Sequence, residues 1–167
     1  IAFSYPEEDF FNTFSNYSNK REEMELEYDR LFHLSEIWLY SLEYIAKNEF
    51  ERAKMLADIM GFYRAFGVEQ KKDRSDAIFN ELEFMHYLMF KETRAINANS
   101  NKNNELANEN AIVCLDAQKK FFNEYLYPSG IQMANAIITK ANNEFYVHIA
   151  KDFLDFLDEE NKYYTGA

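Results

Sequence analysis

The sequence predicts an all-α fold: a compact single-domain bundle of roughly seven or more helices over residues 1–167. Turn-forming residues are scarce, with only four glycines and two prolines among 167 residues, so the connections should be short. Apolar residues recur at spacings of three and four rather than in alternation, which is the helical pattern. The chain also contains 16 Phe and 12 Tyr, a large apolar surface for a helical core.

The first half of the chain carries three well-marked helices. Pro6 is followed by three acids, which suits the first turn and the positive end of a helix dipole. A second helix is predicted over about 21–34, and a third over about 51–66, ending at Gly67, a residue suited to a left-handed C-terminal turn. The residues of the second helix expected to face inward are Met24, Tyr28, Leu31 and Phe32.

The next helix, predicted over 76–91, follows a polar segment at about 69–75 that we interpret as a hinge loop. Asp76 can cap this helix, because its carboxylate can accept a free N–H of the first turn. Four apolar residues then recur at spacings of four, three and four, which forms one stripe of a helix. They are Ile78, Leu82, Met85 and Met89.

The segment 97–104 holds five asparagines and no large apolar residue, so we expect a mobile polar loop. A long helix is predicted after it, over 105–125. The residues expected near its packed face are Leu106, Val113, Ala117, Phe121 and Tyr125.

The last part of the chain is predicted to break at residues 127–130, which contain a proline and a glycine. A helix over 131–141 should follow. Asn142 or Asn143 then caps a final helix that reaches at least residue 157.

Charge and composition limit the classes of partner. The net charge of −11 disfavours nucleic acids and anionic membranes, whose phosphates it would repel. No apolar run approaches the ~18 residues that a membrane span needs, so stable membrane insertion is not expected. Cys114, the one cysteine, fits a reducing compartment and a small buried apolar position.

The sequence offers little catalytic chemistry. It lacks the glycine-rich phosphate loops and the Cys/His clusters of zinc sites, so no cofactor and no metal are expected. Glu83 and His86 do form the E-x-x-H pair of di-iron bundles, but that site needs a second such pair and further inward glutamates. A metal or redox enzyme in a helical bundle therefore stays open as an alternative, as does a generic helix-binding adaptor.

One stretch resembles a known family. The helix segment Glu81-Leu82-Glu83-Phe84-Met85, preceded by an acidic loop, resembles the TorD/DmsD/NarJ family of redox enzyme maturation proteins. The family loop reads roughly E-P-x-D-H, and this chain reads Asp73-Arg74-Ser75-Asp76-Ala77. The second acid is kept and the first is changed conservatively, whereas Arg74 replaces the proline and Ala77 the histidine. Tyr40 and Tyr44 fall on two tyrosines of an earlier family motif.

The resemblance implies a non-enzymatic cytoplasmic chaperone. Its partner would be the catalytic subunit of a molybdopterin-containing oxidoreductase, whose twin-arginine signal peptide it binds while assisting folding, cofactor insertion and export. The protein would be a monomer or a dimer swapped through the polar hinge. Acids would meet the two arginines, and apolar side chains would supply most of the affinity. The residues expected at the peptide are Asp73, Asp76, Glu81, Glu83, Tyr40, Tyr44 and Met85.

Overall fold

The computed structural model describes residues 2–35, 37–69, 74–100 and 105–166. These ranges contain no β-strand, only one isolated antiparallel bridge between Tyr40 and Ala77, so the all-α prediction is confirmed. No helix within them is long and apolar enough to cross a membrane. The helices are α1 Glu8–Thr13, α2 Arg21–Asp29, α3 Leu42–Ile45, α4 Glu49–Ala65, α5 Ile78–Ser100, α6 Glu105–Phe121, α7 Tyr127–Lys140 and α8 Glu144–Thr165.

The chain divides into two compact units. The first combines Ile1–Leu39 with Ser129–Ala167, and the second is the continuous segment Tyr40–Pro128. That all 167 residues act as a single domain stays a prediction.

Helices α2 and α8 contribute aromatic side chains to the core of the first unit. A π-helical turn, Arg30–Leu34, extends α2, so the helix predicted over 21–34 is confirmed. Its four expected inward residues are all buried. The ring of Phe145 on α8 lies 5.2 Å from that of Phe10 on α1, in an edge-to-face arrangement that suits two aromatic quadrupoles.

The buried carboxylate of Glu27 connects α2 by hydrogen bonds to the segment that precedes α8. Glu27 accepts two hydrogen bonds from Arg30, at 2.6 and 2.7 Å, and one from the Asn142 N–H at 2.7 Å. Burial opposes ionisation of Glu27, but these hydrogen bonds and the Arg30 charge outweigh it and hold the pKa of the carboxyl below its ordinary value. Asn143 caps α8 through a 2.8 Å bond from the Phe145 N–H, which confirms the predicted cap.

The second unit is built on α4, α5 and α6. Tyr63 of α4 packs against Phe84 of α5 at 4.7 Å between ring centroids, and Phe84 packs against Phe121 of α6 at 5.0 Å. Gly67 follows α4 with φ +73°, as the sequence predicted, and its N–H bonds to the carbonyl of Arg64. An L side chain at that φ would be strained, which explains glycine at this stop.

Two segments expected to be irregular are helical. Helix α5 continues to Ser100, so residues 97–100 of the expected Asn-rich loop are helical, and residues 101–104 lie outside the described residues. Helix α7 follows directly on a π-helical segment, Phe122–Leu126, that continues α6, so the chain stays helical where we expected a break. Pro128 cannot donate a backbone hydrogen bond, and it comes just after this segment, where the α-helical hydrogen-bond pattern is already interrupted. A Cβ added at Gly130 would lie 2.8 Å from Leu157 Cδ1, so the glycine permits a close approach of α8.

The packed face predicted for the helix after residue 104 is confirmed in part. Ala117, Phe121 and Tyr125 are buried as expected, whereas Leu106 and Val113 are 62% and 56% exposed. The buried residues that recur at spacings of three and four include the polar Gln118: they are Ala111, Cys114, Gln118, Phe121 and Tyr125. The expected burial of Cys114 is confirmed.

Candidate functional site

The site lies where the loop before α5 meets the segment that leads into α3. The backbone bridge between Tyr40 and Ala77 joins the two stretches, and the Ser41 N–H donates to the Asp76 carbonyl at 2.8 Å. These backbone contacts bring Tyr40, and the residues just after it, against the acidic loop that the family motif singled out.

Asp76 is completely buried and is paired with a neighbour in its own loop. Arg74 donates from Nε to Oδ1 at 2.9 Å and from Nη2 to Oδ2 at 2.7 Å, a bidentate arrangement that matches the two planar groups. The prediction that Asp76 caps the helix is wrong. Helix α5 begins at Ile78, so Asp76 lies ahead of the cap position, and its carboxylate oxygens accept from the guanidinium instead.

The same guanidinium makes two further contacts. Arg74 Nη1 donates to Glu43 Oε1 at 3.0 Å, and Arg74 Cζ lies 4.3 Å from the centroid of the Tyr40 ring. Both a carboxylate and a ring face attract a guanidinium. We call Tyr40, Glu43 and Asp76 the guanidinium site. Its occupant, Arg74, stands where the family loop has proline.

Glu81 is a second fully buried acid, but its hydrogen-bond partner is a hydroxyl group rather than a guanidinium. Ser41 Oγ donates to Glu81 Oε1 at 2.5 Å, whereas the buried Oε2 has no hydrogen-bond partner within the described part of the chain. Burial raises the pKa of Glu81 well above its ordinary value, the Ser41 hydrogen bond opposes this, and the charge of Asp76 adds to the rise. Burial thus favours the neutral, protonated form of Glu81, whereas a side chain that pairs with arginine must be ionised.

A cavity of about 310 Å³ adjoins the loop through Ser75, the residue between Arg74 and Asp76. The apolar part of its lining comes from Met60, Tyr63 and Val68. The Tyr63 hydroxyl donates to the Ser75 carbonyl at 2.9 Å, which fixes this wall to the loop. An apolar side chain could therefore be held next to the guanidinium site.

The structure brings only some of the expected peptide-binding residues together. Tyr40, Asp76 and Glu81 lie around one loop, and Tyr44 is half-buried on the adjacent α3. Glu83 is exposed on α5. Met85 is 3% exposed and belongs to the core, because it lies on the buried stripe of α5, so it is not available to a peptide.

Some expectations fall elsewhere. Asp73 and residues 70–72 of the expected hinge lie outside the described residues. Sequence reasoning missed Ser41 and Glu43. No spacing rule links residues 41 and 43 to residues 74 and 81, although the replacement of the family proline by Arg74 was visible as a signal.

The metal-enzyme alternative rested on Glu83 and His86. Both are exposed, whereas a di-iron bundle turns such residues inward. Across the described ranges, no group of three or more His, Cys, Asp or Glu side chains is placed to hold a metal ion.

The described part of the chain is thus an all-helical protein with a buried acid–guanidinium cluster beside α5. A family model described as "Nitrate reductase delta subunit" matches residues 6–128, more than half of the chain, and the protein belongs to this family. The resemblance to the NarJ/TorD-type chaperones is thereby confirmed, and it implies a maturation protein for a molybdenum-containing enzyme rather than a catalyst. Searches among curated proteins and among solved structures each gave no match.

Proposed function

We propose that this protein is a cytoplasmic chaperone that binds the twin-arginine signal peptide of a molybdopterin-containing oxidoreductase subunit. It would assist the subunit's folding, cofactor insertion and export. Family membership supports the chaperone class. The observation that supports binding of an arginine peptide is the guanidinium site, in which Asp76, Glu43 and the Tyr40 ring face hold the guanidinium of Arg74, while Arg52 also pairs with Glu43 at 3.0 Å.

An incoming arginine has the same chemical group as the residue that occupies the site. The incoming arginine would bind by exchange: its guanidinium would pair with the Asp76 carboxylate as Arg74 moves away from it. An unpaired buried charge costs about 3–5 kcal/mol, so a ligand without a cation cannot displace Arg74 cheaply. The requirement for a replacement cation would give the site its selectivity.

Exchange of one arginine for another contributes little net free energy. The affinity must then come mainly from the apolar segment that follows the two arginines in such peptides. Each large apolar side chain fully removed from water contributes about 1.5–3 kcal/mol. The cavity beside Ser75, with Met60 and Val68 in its wall, is our candidate for the first of these side chains.

The proposal is tested by calorimetric titration of a twin-arginine signal peptide into three proteins. Asp76→Asn removes the charge that an incoming arginine needs, so affinity should fall. Arg74→Gln removes the competing guanidinium, so affinity should rise, and peptide should raise the Tm of this variant more than that of the wild type. Lys54→Gln, at an exposed cation of α4, is the matched control and should change neither quantity.

A second peptide, with both arginines replaced by lysine, checks the chemistry of the ligand. Lysine cannot make the planar bidentate contact, so it should bind more weakly. Equal binding of the two peptides would favour the generic helix-binding adaptor. Unchanged affinity in both Asp76→Asn and Arg74→Gln, with the helical content intact by circular dichroism, would place the peptide elsewhere.

A further inference from the structure

A second groove lies in the Tyr40–Pro128 unit, between the C-terminal half of α5 and the facing part of α6. Its volume is about 730 Å³. The aromatic side chains of Phe66, Tyr87 and Phe90 line it together with two cations, Lys91 and Arg94. None of the residues of the guanidinium site contributes to this groove.

The charge of the groove is opposite to that of the chain. The protein carries a net charge of −11, yet among the described residues no acidic side chain lines the groove. Lys91 Nζ lies 5.2 Å from the centroid of the Tyr87 ring, and Arg94 Cζ lies 5.6 Å from that of Phe90, so aromatic faces hold both cations at the groove. The neighbouring Glu92 is engaged by Gln118 Nε2 at 2.7 Å.

Apolar side chains are exposed along the same pair of helices. Phe90 and Val113, which line the groove, are 52% and 56% exposed. Leu106, seven residues before Val113 and therefore on the same face of α6, is 62% exposed. Large exposed apolar side chains beside cations are typical of a surface that another chain covers.

We propose that this groove binds an acidic amphipathic helix of a partner protein. The apolar side chains of that helix would cover Phe90 and Val113, and its carboxylates would pair with Lys91 and Arg94. A groove between two helices is a known receptor for a helix that presents apolar residues on one face. The cationic signal peptide is not the occupant, because Lys91 and Arg94 would repel its arginines. The inference goes beyond the proposed function and does not depend on it.

The test uses a synthetic amphipathic helix with Leu and Phe on one face and Glu on the other, labelled for fluorescence anisotropy. The wild-type protein should bind this peptide, and binding should weaken as salt is raised. The double variant Lys91→Glu, Arg94→Glu and the single variant Phe90→Ala should each lose about tenfold or more in affinity.

Two matched controls separate the groove from general surface effects. Lys54→Glu reverses an exposed cation of α4 that does not line the groove. Ile112→Ala truncates a side chain on α6 that is 52% exposed, like Phe90, but is not in the lining. Both should leave the affinity within about twofold, because an interface depends on a few central residues.

Three outcomes would overturn the proposal. Equal binding of a peptide with Lys in place of Glu would show an apolar surface without charge selection. Self-association of the wild-type protein that Phe90→Ala abolishes would make the groove an interface between copies of this chain. Displacement of the peptide by a nucleoside triphosphate, lost in the Lys91→Glu, Arg94→Glu variant, would make it a small-anion site.

Discussion

The buried Glu81 should make the stability of this protein fall as pH rises, and Glu81→Gln should remove that dependence. In the unfolded chain the carboxyl titrates near its ordinary value of 4.5, whereas burial raises its pKa in the folded protein. Between these two values the folded state holds a proton that the unfolded state has released. The free energy of unfolding therefore decreases with pH across that window, by about 1.4 kcal/mol per pH unit for one proton.

Glutamine keeps the shape of the side chain and an oxygen that can accept from Ser41 Oγ, but it has no proton to lose. Urea unfolding of both proteins from pH 4 to 8 gives the difference in free energy, variant minus wild type. Groups other than residue 81 titrate in both proteins and largely cancel in this difference. It should grow with pH through the window and become constant above the folded-state pKa.

Glu83→Gln is the matched control, since it makes the same change two residues along α5 on an exposed side chain. The fall of stability with rising pH should persist in this variant, because Glu81 is still present. A Glu81→Gln difference that is flat, or that shrinks as pH rises, would refute the reasoning. Glu81 would then be ionised in the folded protein with a partner for its second oxygen.

Two further predictions concern the cores of the two units. Glu27→Gln should destabilise the fold at pH 7 by about 1.5–3 kcal/mol, because hydrogen bonds to a charged acceptor are lost. The pKa of Glu27 is lowered in the folded state, so its contribution to stability is present above the unfolded-state pKa and fades as pH falls through the folded-state pKa. Urea unfolding at pH 7 and in acid should therefore show that the difference in free energy of unfolding between wild type and variant becomes smaller in acid. A difference that becomes larger in acid would contradict this sign. Met85→Ala should cost about 2–5 kcal/mol of stability in the same assay. The affinity of the folded variant for the signal peptide should stay unchanged, since Met85 is buried. A stable variant that binds the peptide weakly would show instead that Met85 contacts the peptide.

Local signals were enough to predict most helices. Gly67, Asn143 and the apolar stripe of α2 act within a few residues, and the structure has each of them as expected. On α6, Leu106 and Val113 were assigned wrongly to the buried face, because the polar Gln118 belongs to the buried set and hides the true spacing. The continuity of α6 into α7 was missed because proline usually ends a helix, whereas Pro128 here follows a π-helical segment, Phe122–Leu126, that the sequence pattern did not indicate.

The candidate site depended on contacts that sequence separation conceals. The family motifs singled out Asp76, Glu81 and Tyr40, and the structure has all three around one loop. The motifs gave no indication that Ser41 would hydrogen-bond Glu81, 40 residues along the chain. The apolar stripe predicted Met85 as a core residue and the resemblance implied that it binds the peptide; its burial in the structure agrees with the first role.

The two buried acids together suggest why the arginine in the loop matters. Glu81 can be buried because it can keep its proton, whereas Asp76 is buried against the fixed cation of Arg74. In a loop with proline at that position, the cation for the buried aspartate would have to come from outside the loop. Here Arg74 supplies it, so the buried aspartate is paired without a ligand. Under the exchange that we propose, Arg74 would leave Asp76 only when another guanidinium takes its place, because the unpaired buried charge is costly.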